Sequence, residues 1–111
     1  MIKFINLTPH DIVLDDCVKQ EVIPSSGNFR CFEQVVSTGS INGWNVNHCS
    51  YQIPSELPPM LPDTIYIVSN IVLQTIKAHR FQRDDFVAPD TGSTARRANG
   101  QVLSVRGFIK I

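Results

Sequence analysis

Apolar and polar positions alternate in short runs through much of the chain, and a helical period shows in one place. Asp63-Thr-Ile-Tyr-Ile-Val68 reads as a strand whose Ile65, Ile67 and Val68 suit a buried central position. Ser69 follows as a helix N-cap, its hydroxyl able to accept a bond from an orphan N–H. Ile71, Val72, Leu73 and Ile76 then give residues 70–79 a broad apolar face, which predicts a short helix. Asp85-Phe-Val-Ala-Pro89 predicts a second strand. The turn-rich loop Asp90-Thr-Gly-Ser-Thr94 and the pair Arg96-Arg97 come next. The sum is a β-α-β unit.

The first half reads as strand and turn. Ile2–Leu7 alternates weakly, and Thr8-Pro-His-Asp11 is a turn, because proline fixes φ and Asp bonds its own backbone. Ile12–Leu14 and Gln20–Ile23 predict a hairpin around Asp15-Asp16, and Pro24–Gly27 a further turn. Phe29–Val36 suits a strand, with Trp44–Val46 and Ser50–Ile53 as short strand candidates. Gly39 and Asn42-Gly43 punctuate this stretch. Residues 54–62 hold Pro54, Pro58, Pro59 and Pro62, which reads as an extended connector without a regular set of backbone donors. Asn99-Gly100 is the strongest hairpin signal, joining Thr94–Ala98 to Gln101–Ile111. The fold class expected is a β-rich α+β single domain over 1–111. It has a mixed sheet, one main helix in the β-α-β unit and a C-terminal hairpin.

A chain of 111 residues with 42% hydrophobic and 18% charged residues is globular in composition and builds one modest core. Low charge favours assembly, so a homo-oligomer is expected. Formal net charge is zero, which argues against non-specific nucleic-acid binding. The charges are unevenly spread, however. Residues 1–69 carry three basic and seven acidic groups, and residues 70–111 carry seven basic and three acidic, so the parts stand at −4 and +4. A local positive field attracts small anions even in a neutral protein, although the two parts also neutralise each other. Cys17, Cys31 and Cys49 show no C-x-x-C spacing, which points to free thiols packed as small hydrophobes in a reducing compartment. No secretory leader or membrane-length apolar run is visible, and a cytoplasmic location is expected. No metal site or cofactor is expected.

If the two strands around the helix are parallel, their carboxyl ends share one edge, where ligands of open α/β units sit. Ser69 and Asn70 would offer helix N-terminal amides to an anion. Asp90, Thr91, Gly92 and Thr94 would add hydroxyls and close backbone approach, and Arg96 or Arg97 a bidentate grip on phosphate. Only one arginine would serve, because strand neighbours point to opposite faces. Thr8 and His10 complete the candidate ligand-binding set. His10 beside Asp11 also offers a general-base arrangement, although neighbours in a turn seldom face each other. No G-x-S-x-G or H-E-x-x-H accompanies it, and no catalytic residue is assigned. Trp44 and Tyr51 could stack on a base, but core packing is the simpler expectation. Lys77–Arg83 is a basic run that complements the dipole at the helix end.

Asn6-Leu-Thr-Pro-His10, Tyr66-Ile-Val-Ser69, Asp85–Gly92 and Gly100–Gly107 together resemble a family of small uncharacterised proteins of tailed bacteriophages and prophages. The resemblance covers both ends and is weak from about residue 28 to 62. It brings no family activity and no catalytic residue. It implies a phage product acting in a bacterial cytoplasm, where small phage proteins often block host defence. Three functions follow as expectations. The first is sequestration of a phosphorylated, nucleotide-type defence signal without catalysis. The second is direct inhibition of a host defence protein through the proline-rich stretch and the basic helix end. The third is a small phosphodiesterase using His10.

Overall fold

The structure, a computed structural model, describes residues 1–52, 57–79 and 83–110. Its centre is a four-stranded mixed sheet. β1 (Lys3–Asn6) runs parallel to β6 (Thr64–Ile67), β6 runs parallel to β7 (Phe86–Pro89), and β10 (Phe108–Ile109) closes the far edge antiparallel to β7. Helix α1 (Asn70–Ala78) connects β6 to β7, so the β-α-β unit is present with its strands parallel. The protein is a β-rich α+β domain with one helix among the described residues. Ser69 caps α1, its Oγ accepting the Val72 amide at 3.3 Å, and Lys77 stands in the last turn. Among the described residues, no helix is long and apolar enough to cross a membrane.

Alternation along the central strands divides the interior into two layers. Tyr66, Val68, Phe86 and Ala88 face α1 and pack with Val72, Leu73 and Ile76. Ile67 and Val87 face the other way, where Ile12 and Ile23 of the β2–β3 hairpin (Ile12–Asp15 and Gln20–Ile23) and Val105 cover them. Tyr66 stacks on Phe86 with ring centroids 5.5 Å apart. A clasp holds the proline segment to the opposite end of this layer. Arg83 donates from Nε and Nη2 to the two Asp85 carboxylate oxygens, both at 2.8 Å, and from Nη2 to the Pro58 carbonyl at 2.7 Å. The Tyr66 hydroxyl reaches the Pro59 carbonyl at 2.7 Å. The hydrogen bond from Arg83 to Asp85, above all, raises the Arg83 pKa further. Arg83 therefore belongs to this clasp and not to a basic helix end. Arg80 and the Pro54 end of the connector lie outside the described residues.

Two segments differ from the sequence reading. Residues 101–111 do not form one hairpin strand. β8 (Arg96–Ala98) and β9 (Gln101–Ser104) turn at Asn99-Gly100, both with positive φ, as expected. After Ser104 the chain leaves the hairpin, because Val105 exchanges backbone bonds with β2: its N–H meets the Val13 carbonyl and its carbonyl the Asp15 N–H, both at 2.9 Å. Phe108–Ile109 then joins the main sheet. Ile111 lies outside the described residues. The second difference is β4 (Phe32–Ile41) and β5 (Trp44–Gln52), which form one long hairpin instead of several short strands. Gly39 sits at a bulge inside β4, and Asn42 (φ 51°) with Gly43 (φ 83°) makes the two-residue turn. The end of the predicted strand at Ile53 lies outside the described residues.

Trp44 stands at the tip of this hairpin, 79% exposed, and so is not a core residue. Tyr51 is also exposed. Cys17 and Cys49 are exposed and Cys31 half-buried, which corrects the expectation of three packed thiols.

Candidate functional site

β1, β6 and β7 run in the same direction, so the segments that follow them, Leu7–Asp11, Ser69–Asn70 and Asp90–Thr91, emerge on one edge of the sheet. A cavity of about 410 Å³ lies there. Five of the expected ligand residues line it: Thr8, His10, Ser69, Asn70 and Thr91. The facing wall is β9 and its continuation, with Val102, Leu103 and Val105, and Ile12 and Val13 of β2 add to it. One side of the cavity is therefore polar and built from loops and a helix start, and the other is aliphatic.

The polar side is held in place by a residue the sequence reading passed over. Asn6, the last residue of β1, is fully buried. Its Nδ2 donates to the carbonyls of His10 at 2.9 Å and Ile23 at 3.0 Å. Its Oδ1 accepts the Thr8 amide at 3.0 Å and the Thr8 hydroxyl at 2.6 Å. Its side chain thus shapes the Thr8–Asp11 loop and ties it to the end of β3. Asp11 Oδ1 accepts the Ser25 amide at 2.9 Å, and Ser25 Oγ donates to the Thr8 carbonyl, so the loop is also tied to the strand end after β3. Asp11 Oδ1 is thus engaged by Ser25, and among the described residues no hydrogen bond joins Asp11 to His10. His10 is exposed at the cavity mouth.

Asp90, Gly92, Thr94, Arg96 and Arg97 do not line the cavity. Asp90 Oδ1 accepts the Gly92 amide at 3.1 Å, and the Ala95 amide bonds the Gly92 carbonyl at 3.2 Å, so the 90–95 loop turns in on itself. Arg96 leans toward β2, with Nη1 3.8 Å from Asp15 Oδ2. Arg97 donates to the Thr91 carbonyl, and the register shift between Arg96 and Arg97 interrupts simple alternation. The expected guanidinium in the hollow is corrected accordingly: β9, not β8, supplies the wall, and aliphatic side chains occupy the place where an arginine was expected.

A guanidinium does stand nearby. A second hollow of about 290 Å³ shares Thr8, Pro9 and Ser69 with the first and is lined by Arg30, Asn28, Phe29 and Tyr51. Arg30 and the Val102–Val105 wall are the site features missing from the sequence reading. Their signal is long-range: Phe29 reaches this edge because its amide bonds the Leu7 carbonyl at 2.9 Å. Among the described residues, no three His, Cys, Asp or Glu side chains cluster in a way that would hold a metal ion. No family model, no curated protein and no solved structure matches this chain.

Proposed function

We propose that this chain is a binding protein that captures a small nucleotide-type ligand in the cavity at the carboxyl edge of its parallel strands, without turning it over. The observation that carries this reading is the convergence of Thr8, His10, Ser69, Asn70 and Thr91 on one hollow opposite an aliphatic wall. Its volume of about 410 Å³ suits a small molecule. The start of α1 brings a partial positive charge and unpaired amides to the polar side. Val102, Leu103 and Val105 offer the other side an apolar surface, suited to a base.

The charge balance narrows the ligand. With Arg96 and Arg97 turned elsewhere, the cavity offers an anion one helix terminus and hydrogen-bonding side chains, and the Asp11 carboxylate also lies on its lining. That suits a single negative group, as in a cyclic phosphodiester, better than a polyphosphate. A ligand with a second phosphate would need to cross Thr8-Pro9 to reach Arg30. Hydrolysis is disfavoured, because the Asp11 carboxylate that would orient His10 is bonded to Ser25.

Combined with the resemblance to phage proteins, this reading makes the chain a sink for a nucleotide signal of host defence. Isothermal titration against cyclic nucleotides and ADP-ribose-type nucleotides tests it. The expected result is saturable heat with a cyclic nucleotide, weakened by His10→Ala. No heat with any member of the panel would count against it.

A further inference from the structure

Seven asparagines lie in the chain, and the structure treats them unequally. Five have bonded side-chain amides. Asn6 is held by Thr8, His10 and Ile23. Asn28 accepts from the Arg30 guanidinium, Asn45 and Asn47 bond each other, and Asn70 accepts from Gln74. Each of the five is followed by a residue with a bulky side chain, such as Leu7 after Asn6 or Val46 after Asn45. Asn42 and Asn99 differ on both counts. Each precedes a glycine, and among the described residues neither side chain has a hydrogen-bond partner. Both Asn-Gly pairs are exposed.

This combination bears on a covalent reaction. When the glycine amide nitrogen attacks the asparagine side-chain carbonyl carbon, a C–N bond forms and the side-chain amide leaves as ammonia, taking the proton that the glycine nitrogen gives up. Water then opens the resulting five-membered imide at either carbonyl. The products are aspartate and isoaspartate, the second of which routes the main chain through the side-chain methylene. Glycine has no Cβ to shield its nitrogen, and a Cβ added at Gly43 or Gly100 would meet nothing within 4 Å. Each glycine also sits within its turn, outside the ladder pairs Ile41–Trp44 and Ala98–Gln101.

The folded turns set the pace. Both asparagines stand at φ 51°, in the left-handed region. That conformation points the glycine nitrogen away from the side-chain carbonyl carbon, so a turn must open before it reacts. The β4–β5 hairpin is an arm, a two-stranded sheet exposed along most of its described length. Ile41 and Trp44, which flank its turn, are 64% and 79% exposed, so no packing holds the tip closed. A lone ribbon of this kind is marginally stable. The β8–β9 turn is better anchored. Arg97 donates to the Thr91 carbonyl, and just beyond β9 Val105 bonds β2 on both its N–H and its carbonyl. We propose that Asn42-Gly43 and Asn99-Gly100 are the chain's sites of spontaneous deamidation, with water as co-reactant, and that Asn42 at the tip of the arm reacts first. Each event adds one negative charge to a chain whose formal net charge is zero. Isoaspartate at Asn42 lengthens the main chain of a two-residue turn, and at Asn99 it does the same beside the strand that carries Val102 and Leu103 to the cavity wall.

The test incubates the full chain in mildly alkaline buffer beside a free peptide spanning Ser40–Val46, which serves as the clock. Isoelectric focusing follows the acidic species, and peptide mapping by mass spectrometry with an isoaspartate-specific methylation assay locates them. The expected result is an acidic species that forms more slowly than in the peptide, maps to Asn42 first and to Asn99 later, and contains isoaspartate at both. Asn42→Gly keeps a turn of positive-φ residues without the reacting amide. It loses the first acidic species and retains the second. Two outcomes overturn the proposal: no acidic species from the full chain once the peptide has reacted completely, or acidic species that map to another asparagine or to Asn99 ahead of Asn42.

Discussion

Asn6 Oδ1 accepts the Thr8 hydroxyl at 2.6 Å while Asn6 Nδ2 donates to the His10 carbonyl at 2.9 Å. One buried amide thus fixes both ends of the loop that forms the polar side of the cavity. Asn6→Ala strips partners from a buried amide and two carbonyls, and is expected to cost about 3 kcal/mol in equilibrium urea unfolding. Asn6→Asp keeps the acceptor and loses both donations, so it is destabilising as well, and more so once the carboxylate ionises. A variant as stable as the parent would show that the loop does not depend on this side chain.

The Arg83–Asp85 clasp makes a second stability prediction. Both side chains are largely covered, at 14% and 7% exposure, and Arg83 lies 4.9 Å from the Phe86 ring centroid. Asp85→Ala leaves a covered guanidinium with one carbonyl partner and is expected to cost about 3 kcal/mol. Arg83→Met combined with Asp85→Leu recovers part of that loss, since no lone charge remains. Thermal melts of the two variants measure the difference.

The turn of the β2–β3 hairpin responds to acid. Asp16 Oδ1 accepts the Lys19 amide at 2.8 Å and the Val18 amide at 2.9 Å. These bonds, that from Lys19 first, hold the Asp16 carboxyl below the ordinary aspartate range. A lowered folded-state pKa means the contribution is complete at neutral pH and is lost as pH falls through the folded-state value. The Val18 and Lys19 amide resonances should therefore shift together below the ordinary aspartate range, and Asp16→Asn should abolish that step.

Arg96 and Arg97 are expected to be dispensable. The Arg96–Asp15 pair is long, and the arginine is 70% exposed. Exposed pairs of this kind contribute about 0–1 kcal/mol. Arg96→Ala and Arg97→Ala should leave both unfolding and cyclic-nucleotide binding near parental values, whereas Arg30→Ala should weaken only ligands with a second phosphate. Loss of all binding in Arg96→Ala would restore the guanidinium grip that the sequence suggested.

The core was legible because its signals are local. The apolar run at Ile65–Val68, the Ser69 cap and the helical spacing of Val72, Leu73 and Ile76 each specify their own element, and together they imply the parallel pair. The Asn99-Gly100 turn was legible for the same reason. The cavity was half legible: strand direction places Ser69, Asn70 and Thr91 together, but its aliphatic wall depends on Val105 leaving the hairpin for β2, a pairing between residues about ninety apart in sequence. The arm was hidden because Val35 and Val36 point to opposite sides and neither is buried, so the hydrophobic pattern had no core face to follow. Asn6 read as an ordinary strand end because a buried amide leaves no periodic trace.

The binding reading is tested most directly by following backbone amide resonances of the full chain during titration with a 3′,5′-cyclic adenine mononucleotide and, separately, its guanine counterpart. The expected result is saturable shifts at Thr8, His10, Asn70, Thr91 and Leu103, with Arg96, Arg97 and the β4–β5 arm unmoved. Silence at the cavity residues with both compounds, or shifts centred on the Arg96–Arg97 strand, would contradict it.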